Sequence, residues 1–218
     1  MSEQDKAHFN MVHQQLRPNE VADARVLEVI STIPRDKFLP PSLRGLAYAD
    51  VQLPIGCGQT MLPPMVEGRI LQALALKGDE SVLEVGTGSG YFTALLARLS
   101  GKVISVDYFE ELSRQAHERL LDLDIHNVDF QVGDAAKSWP LAERVDVIVI
   151  SAAVISIPDD YLNQLKVGGR LLAVVGKPPA MSVQLVQRIN EREWQTRSLF
   201  ETVIPAMLHA EPKAEFEF

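Results

Sequence analysis

The sequence has 218 residues, 46% hydrophobic and 23% charged, which suits one globular domain with a full core. A formal charge of -8, from 29 acidic and 21 basic residues, opposes a phosphate backbone and excludes generic nucleic-acid binding. One cysteine, a polar N-terminus and no apolar run near the ~20 residues of a membrane span make a cytoplasmic protein without membrane contact the expectation.

Residues 1–76 read as helices with loops. Phe9, Val12 and Leu16 follow a helical spacing that Arg17-Pro18 stops. A second helix is predicted over 21–33, carrying Val26, Leu27, Val29 and Ile30 and closed by Pro34. Pro63 and Pro64 suit the first turn of a third helix, with Met65, Val66, Ile70, Leu74 and Leu76 on its apolar side. Before it lies an irregular stretch, 54–62, with two close glycines and the single cysteine, Cys57.

From Ser81 the rhythm changes. Apolar strands are predicted at 82–85, 103–106, 128–132 and 145–150, with helices at 91–99, 110–121 and near 159–165. Gly168-Gly169 is read as the end of that last helix, with a strand resuming over 170–175. Apolar strands alternating with helices mean a parallel sheet covered on both faces. Two more β-rich runs, 183–189 and 194–204, are read as an antiparallel pair at the sheet edge. The expected class is therefore α/β: a helical segment 1–76, a doubly covered core 77–210 and a polar tail 211–218.

The first strand of the sheet runs from Val82 through Glu84 and Val85 into Gly86-Thr87-Gly88-Ser89-Gly90. Alternating glycines let the backbone turn sharply and let a ligand approach main-chain atoms. A dinucleotide fingerprint would need glycine at position 91, where Tyr91 stands, which argues against a nicotinamide oxidoreductase. G-x-G-x-G after an acidic strand residue is similar to the pattern of S-adenosylmethionine methyltransferases. The second strand ends at Asp107, 21 residues after Gly86, where a carboxylate can accept from both ribose hydroxyls. At the third strand end, Asp134 can accept from an adenine amino group or cap the next helix. The five histidines show no metal-ligand spacing, and no metal is expected.

Further stretches share one order and spacing: Gln15-Leu16-Arg17-Pro18, Ile33-Pro34-Arg35-Asp36-Lys37-Phe38-Leu39-Pro40, and Leu53-Pro54-Ile55-Gly56-Cys57-Gly58-Gln59-Thr60. Val132-Gly133-Asp134, Ser151-Ala152-Ala153 and Leu165-Lys166-Val167-Gly168-Gly169-Arg170-Leu171 follow. Together with the glycine turn, they make the chain resemble the protein-L-isoaspartate O-methyltransferases. The resemblance implies a Rossmann-like methyltransferase sheet with an N-terminal helical cap, S-adenosylmethionine as donor and S-adenosylhomocysteine as product. It implies protein repair by methylation of isoaspartyl carboxylates in flexible protein or peptide segments. Carried over by position, the turn with Gly86, Thr87, Gly88 and Gly90 would hold the methionine part of the donor, Asp107 the ribose, and Asp134 with the backbone of Ala135 the adenine, with Glu84 also among the donor-binding residues. Gln59 and Thr60 would lie over the donor. Ile55, Gly56, Cys57, Met61 and Leu62 would face the acceptor.

The family's segment runs Gly-Gln-Thr-Ile-Ser-x-Pro, with the serine credited as the active-site residue. Leu62 occupies that position, and leucine donates no hydrogen bond. Thr60 is the nearby hydroxyl expected to act in its place. Leu62 and Met61 equally suit a pocket rebuilt for another carboxylate or a small apolar acceptor, and a donor-binding regulatory protein without turnover is a third reading. Cys57 is read as a small packing residue, because methyl transfer needs no covalent enzyme intermediate.

Overall fold

The computed structural model describes residues 2–210; the tail expected over 211–218 lies outside the described residues. Helix α1, Glu3–Asn10, opens on Ser2, whose hydroxyl accepts from the Asp5 N–H. It passes into a π-helical turn, Met11–Leu16. That wider turn breaks the 3.6-residue spacing read from the sequence. Met11, Val12 and Leu16 are buried, while Phe9 is half exposed and packs on the His13 ring.

Helix α2, Ala24–Thr32, is shorter than the predicted 21–33. The Gln72 side chain accepts from the N–H groups of Ala22 and Asp23, which fixes the entry, and the Asp23 carboxylate caps Arg25 and Val26.

The irregular stretch is a hairpin. Strands β1, Leu53–Gly56, and β2, Gln59–Met61, pair antiparallel around Cys57 and Gly58. Both turn residues have positive φ (51° and 71°), as a two-residue hairpin matched to strand twist requires. Helix α3, Pro64–Leu74, then starts with proline in its first position, as predicted.

The sheet contains β3, Ser81–Val85; β4, Lys102–Asp107; β5, Val128–Val132; β6, Val145–Val154; β7, Leu165–Lys177; β8, Ala180–Asn190; and β9, Glu193–Glu201. Its order is β5-β4-β3-β6-β7-β8-β9. Strands β3 to β7 are parallel, and β8 and β9 add antiparallel at the edge, as expected. Side chains alternate between two cores. Val82, Val103, Val147 and Val149 meet α4, Tyr91–Leu99, α5, Glu110–Leu121, and the N-terminal helices. Leu83, Val106, Ile148 and Ile150 meet Tyr161 of α6, Asp159–Asn163, on the other face. The first core runs without a break from Met11 to Ile204, so the N-terminal helices share the core of the sheet.

Gly168-Gly169 does not end a helix. Helix α6 stops at Asn163, β7 begins at Leu165, and the glycines lie inside that strand. Val145 pairs with Leu165 but Val147 pairs with Arg170, so three extra β7 residues bulge out. Gly168 takes φ +83° there.

Candidate active site

The chain leaves β3 for β4 and β5 on one side, then returns to β6 and β7 on the other. Open α/β sheets bind ligands outside the strand carboxyl ends at such a switch point. A cavity of about 100 Å³ lies there. The β1–β2 hairpin supplies Ile55, Gln59 and Thr60, and the turn after β3 supplies Gly86 and Gly88. The far wall is Gly133 to Ala136, and Ser151, Met207 and Leu208 complete it.

The glycines of the turn all take positive φ. At Gly90, an added Cβ would lie 2.6 Å from the Ala116 Cβ on α5. This glycine therefore serves close helix packing and does not line the cavity. Gly90→Ala is expected to cost about 2–3 kcal/mol in urea unfolding, from overpacking plus a left-handed backbone.

Asp107 ends β4 with both carboxylate oxygens engaged by the main chain. Oδ2 accepts from the Gly88 N–H at 2.8 Å and Oδ1 from the Phe109 N–H at 2.8 Å. Each oxygen keeps a lone pair toward the cavity. Burial pushes its carboxyl above the ordinary value, and the N–H donors of Gly88 and Phe109 oppose that. Asp134 accepts from the Ala136 N–H through Oδ1 and meets His209 Nδ1 at 2.6 Å through Oδ2. No helix starts after it, so it caps a bend. His209 also meets the Tyr108 ring edge-on. The segment ahead of it is pinned to β6: the Ala153 N–H donates to Pro205 O and the Met207 N–H to Ala153 O.

A second cavity, about 40 Å³, continues behind the turn. Thr60, Ser151, Ile55, Gly86 and Gly88 line both, so they form the waist between them. The hydroxyls of Thr60 and Ser151 are buried there with no hydrogen-bond partner among the described residues. Leu62, Glu67, Ser89 and Phe92 close the deep end. Behind them Arg35, fully buried, donates to both the Glu67 carboxylate and the Leu62 carbonyl, and its guanidinium sits over the Tyr91 ring.

Of the residues singled out in the sequence, Ile55, Gln59, Thr60, Gly86, Gly88, Asp107, Asp134 and Ala135 line the main cavity. Thr87, Met61 and Leu62 line the deep one. Glu84 lines neither. It is fully buried and accepts from Thr93 Oγ1 at 2.5 Å and Ser105 Oγ at 2.6 Å. Burial pushes its carboxyl up to about 8. Both bonds go to Oε2, while Oε1 is buried with no hydrogen-bond partner among the described residues. Gly56 and Cys57 also stand off, with Cys57 Sγ turned toward Glu111 at 4.0 Å.

Sequence reasoning missed Ser151, Glu67, Met207 and Leu208. Two of them left a signal: Ser151 follows the apolar run 145–150 inside β6, and Glu67 interrupts the buried stripe of α3. The arrangement fits S-adenosylmethionine in chemistry. It offers a carboxylate with free lone pairs for a ribose, a main-chain cradle, and orphaned hydroxyls at the waist.

Residues 6–207 match the family Protein-L-isoaspartate(D-aspartate) O-methyltransferase (PCMT). The chain is 44% identical over 186 residues to the protein-L-isoaspartate O-methyltransferase of Anaeromyxobacter dehalogenans, covering 85% of this chain and 88% of that one. It is 40% identical over 183 residues to the Xanthobacter autotrophicus enzyme of that name, covering 84% and 83%. A solved protein-L-isoaspartate O-methyltransferase superposes with TM-score 0.79 at 24% identity, over 94% of this chain and 65% of the other. A Plasmodium falciparum protein described as a β-aspartate methyltransferase, in complex with S-adenosyl-L-homocysteine, superposes with TM-score 0.78 at 19% identity, over 91% and 97%. At such identities these structures speak for the fold alone.

Proposed function

The chain belongs to the Protein-L-isoaspartate(D-aspartate) O-methyltransferase family, and on that premise we propose that it methylates isoaspartyl carboxylates of damaged proteins, using S-adenosylmethionine. The observation that carries the reading is the switch-point cavity, with Asp107 at one end and two orphaned hydroxyls at its waist. The donor supplies a sulfonium methyl already activated for transfer. The acceptor carboxylate, with an ordinary pKa near ~4, is ionised at neutral pH and needs no general base. What remains for the protein is positioning in a dry site.

Asp107 takes the ribose hydroxyls, and Asp134 with Ala135 takes the adenine edge. Ile55, Val85, Val106 and Met207 keep water from the reacting atoms. The Thr60 hydroxyl donates to the acceptor carboxylate, since Leu62 stands at the position where the resemblance places the family's serine. The acceptor is a flexible, extended protein segment able to reach the hairpin. Cys57, a free cysteine, gives no disulfide reason for an oxidising compartment, and we read the enzyme as cytoplasmic.

The test is transfer of labelled methyl to an isoaspartyl peptide, beside a family member that keeps the serine. A base-labile ester on this peptide, absent from its normal aspartyl twin, is the expected result. Tight binding of S-adenosylhomocysteine without any such ester overturns the acceptor. Thr60→Val is expected to lower kcat/KM roughly 10- to 100-fold, the worth of one hydrogen bond to a charged group. The apolar lining by Met61 and Leu62 favours a second reading, a different carboxylate acceptor. A large gain of isoaspartyl turnover in Leu62→Ser would select it.

A further inference from the structure

The deep cavity has one charged wall. Glu67 lies on α3 in line with Leu71 and Leu74, a buried stripe that packs like core. A carboxylate there is expensive. Its Oε2 is held by Arg35, and both groups are almost wholly buried. Such a pair contributes little net stability over apolar residues of the same size. Packing therefore gives no reason to keep it.

What sets Glu67 apart from Glu84 is access. Glu84 accepts from Thr93 and Ser105 through Oε2 alone and its Oε1 is buried without a partner among the described residues, but Glu84 lines neither cavity. Glu67 opens onto the deep cavity beside the turn, and among the described residues only its Oε2 accepts a side-chain hydrogen bond. At about 10–15 Å³ per water-sized group, the cavity's volume of about 40 Å³ holds roughly three such groups. Ser89 and Phe92, at the amino end of α4, line the same cavity. The positive end of a helix favours a carboxylate. One part of the lining thus suits a cation and another an anion. Between them, through the waist, the cavity joins the site for the nucleoside.

An α-amino acid group carries this pair of charges on one carbon. We propose that Glu67 is a donor-binding residue whose carboxylate takes the α-ammonium of the methionine portion, while the amino end of α4 faces its α-carboxylate. The proposal rests on the S-adenosylmethionine reading but not on the identity of the acceptor. Arg35 holds Glu67 in place and is a positioning residue.

Calorimetry on the full chain tests this without turnover. Glu67→Gln is expected to weaken S-adenosylhomocysteine roughly 10- to 100-fold, as loss of a charge-assisted hydrogen bond does. The same variant leaves binding of 5′-methylthioadenosine, which lacks the amino-acid portion, unchanged. A role in folding alone would weaken both ligands alike, and that outcome overturns the proposal. Should the variant fold poorly, the wild-type protein still decides. An analogue of S-adenosylhomocysteine with hydroxyl in place of ammonium is expected to bind it more weakly by a similar factor. Equal binding of the two overturns the proposal. If the wild type binds 5′-methylthioadenosine and S-adenosylhomocysteine not at all, the donor reading itself falls, and this assignment with it.

Discussion

Asp107→Ala is expected to raise the dissociation constant for S-adenosylhomocysteine on the order of 100- to 10,000-fold. The carboxylate offers lone pairs to two ribose hydroxyls, and hydrogen bonds to a charged group contribute about 1.5–3 kcal/mol each. At 1.4 kcal/mol per decade, two such bonds span that range. The alanine also strips the acceptors from the Gly88 and Phe109 N–H groups, so the cradle loosens. Asp107→Asn separates the effects. Its amide keeps the shape but turns one acceptor into a donor facing a main-chain N–H. An intermediate loss is expected by calorimetry. An Asp107→Ala protein that binds the ligand at wild-type strength would remove Asp107 from the site.

The largest expected stability change comes from Arg35→Ala. It leaves Glu67 an uncompensated buried carboxylate, frees the Leu62 carbonyl and uncovers the Tyr91 ring. Breaking a buried pair from one side costs about 3–5 kcal/mol, on the order of 10 °C in Tm for a chain this long. Burial already pushes the Glu67 carboxyl from 4.5 up to about 7 while the guanidinium pulls it back; without that guanidinium it rises further. The folded value then stands above the unfolded one. Stability from such a group is full below the unfolded value and is lost as pH rises through the folded value. The deficit should therefore be smallest near pH 4.5 and largest above pH 7, as read by urea unfolding at each. A pH-independent deficit would mean that packing, not charge, makes the loss. Arg35→Met with Glu67→Leu should regain most of the stability, because a dry apolar pair needs no desolvation.

The parts of this fold legible in the sequence were those written in local patterns. Apolar strands ending in glycine or aspartate gave the sheet, its direction and the end of β4 at Asp107. Elements that depend on distant partners were not legible. Nothing near Glu67 announces Arg35, 32 residues earlier. That Glu84 accepts from Thr93 and Ser105 was not legible either, because those hydroxyls lie on two other elements. The hairpin at Cys57-Gly58 lacks the usual asparagine or aspartate before glycine, so its tight turn went unread. The π-helical turn after α1 moved Phe9 out of a stripe that the 3.6-residue period had placed it in.

The pinning of Pro205 and Met207 onto Ala153 has a consequence in time. The cavity draws Ile55 from β1 and Leu208 from beyond β9. A polypeptide emerging from the ribosome can assemble the glycine turn and Asp107 early, yet its pocket stays open along one rim. Only once residues 205–208 have emerged can that segment lie down beside β6 and close it. A chain that stops short of them therefore cannot hold the cofactor as one that contains them does.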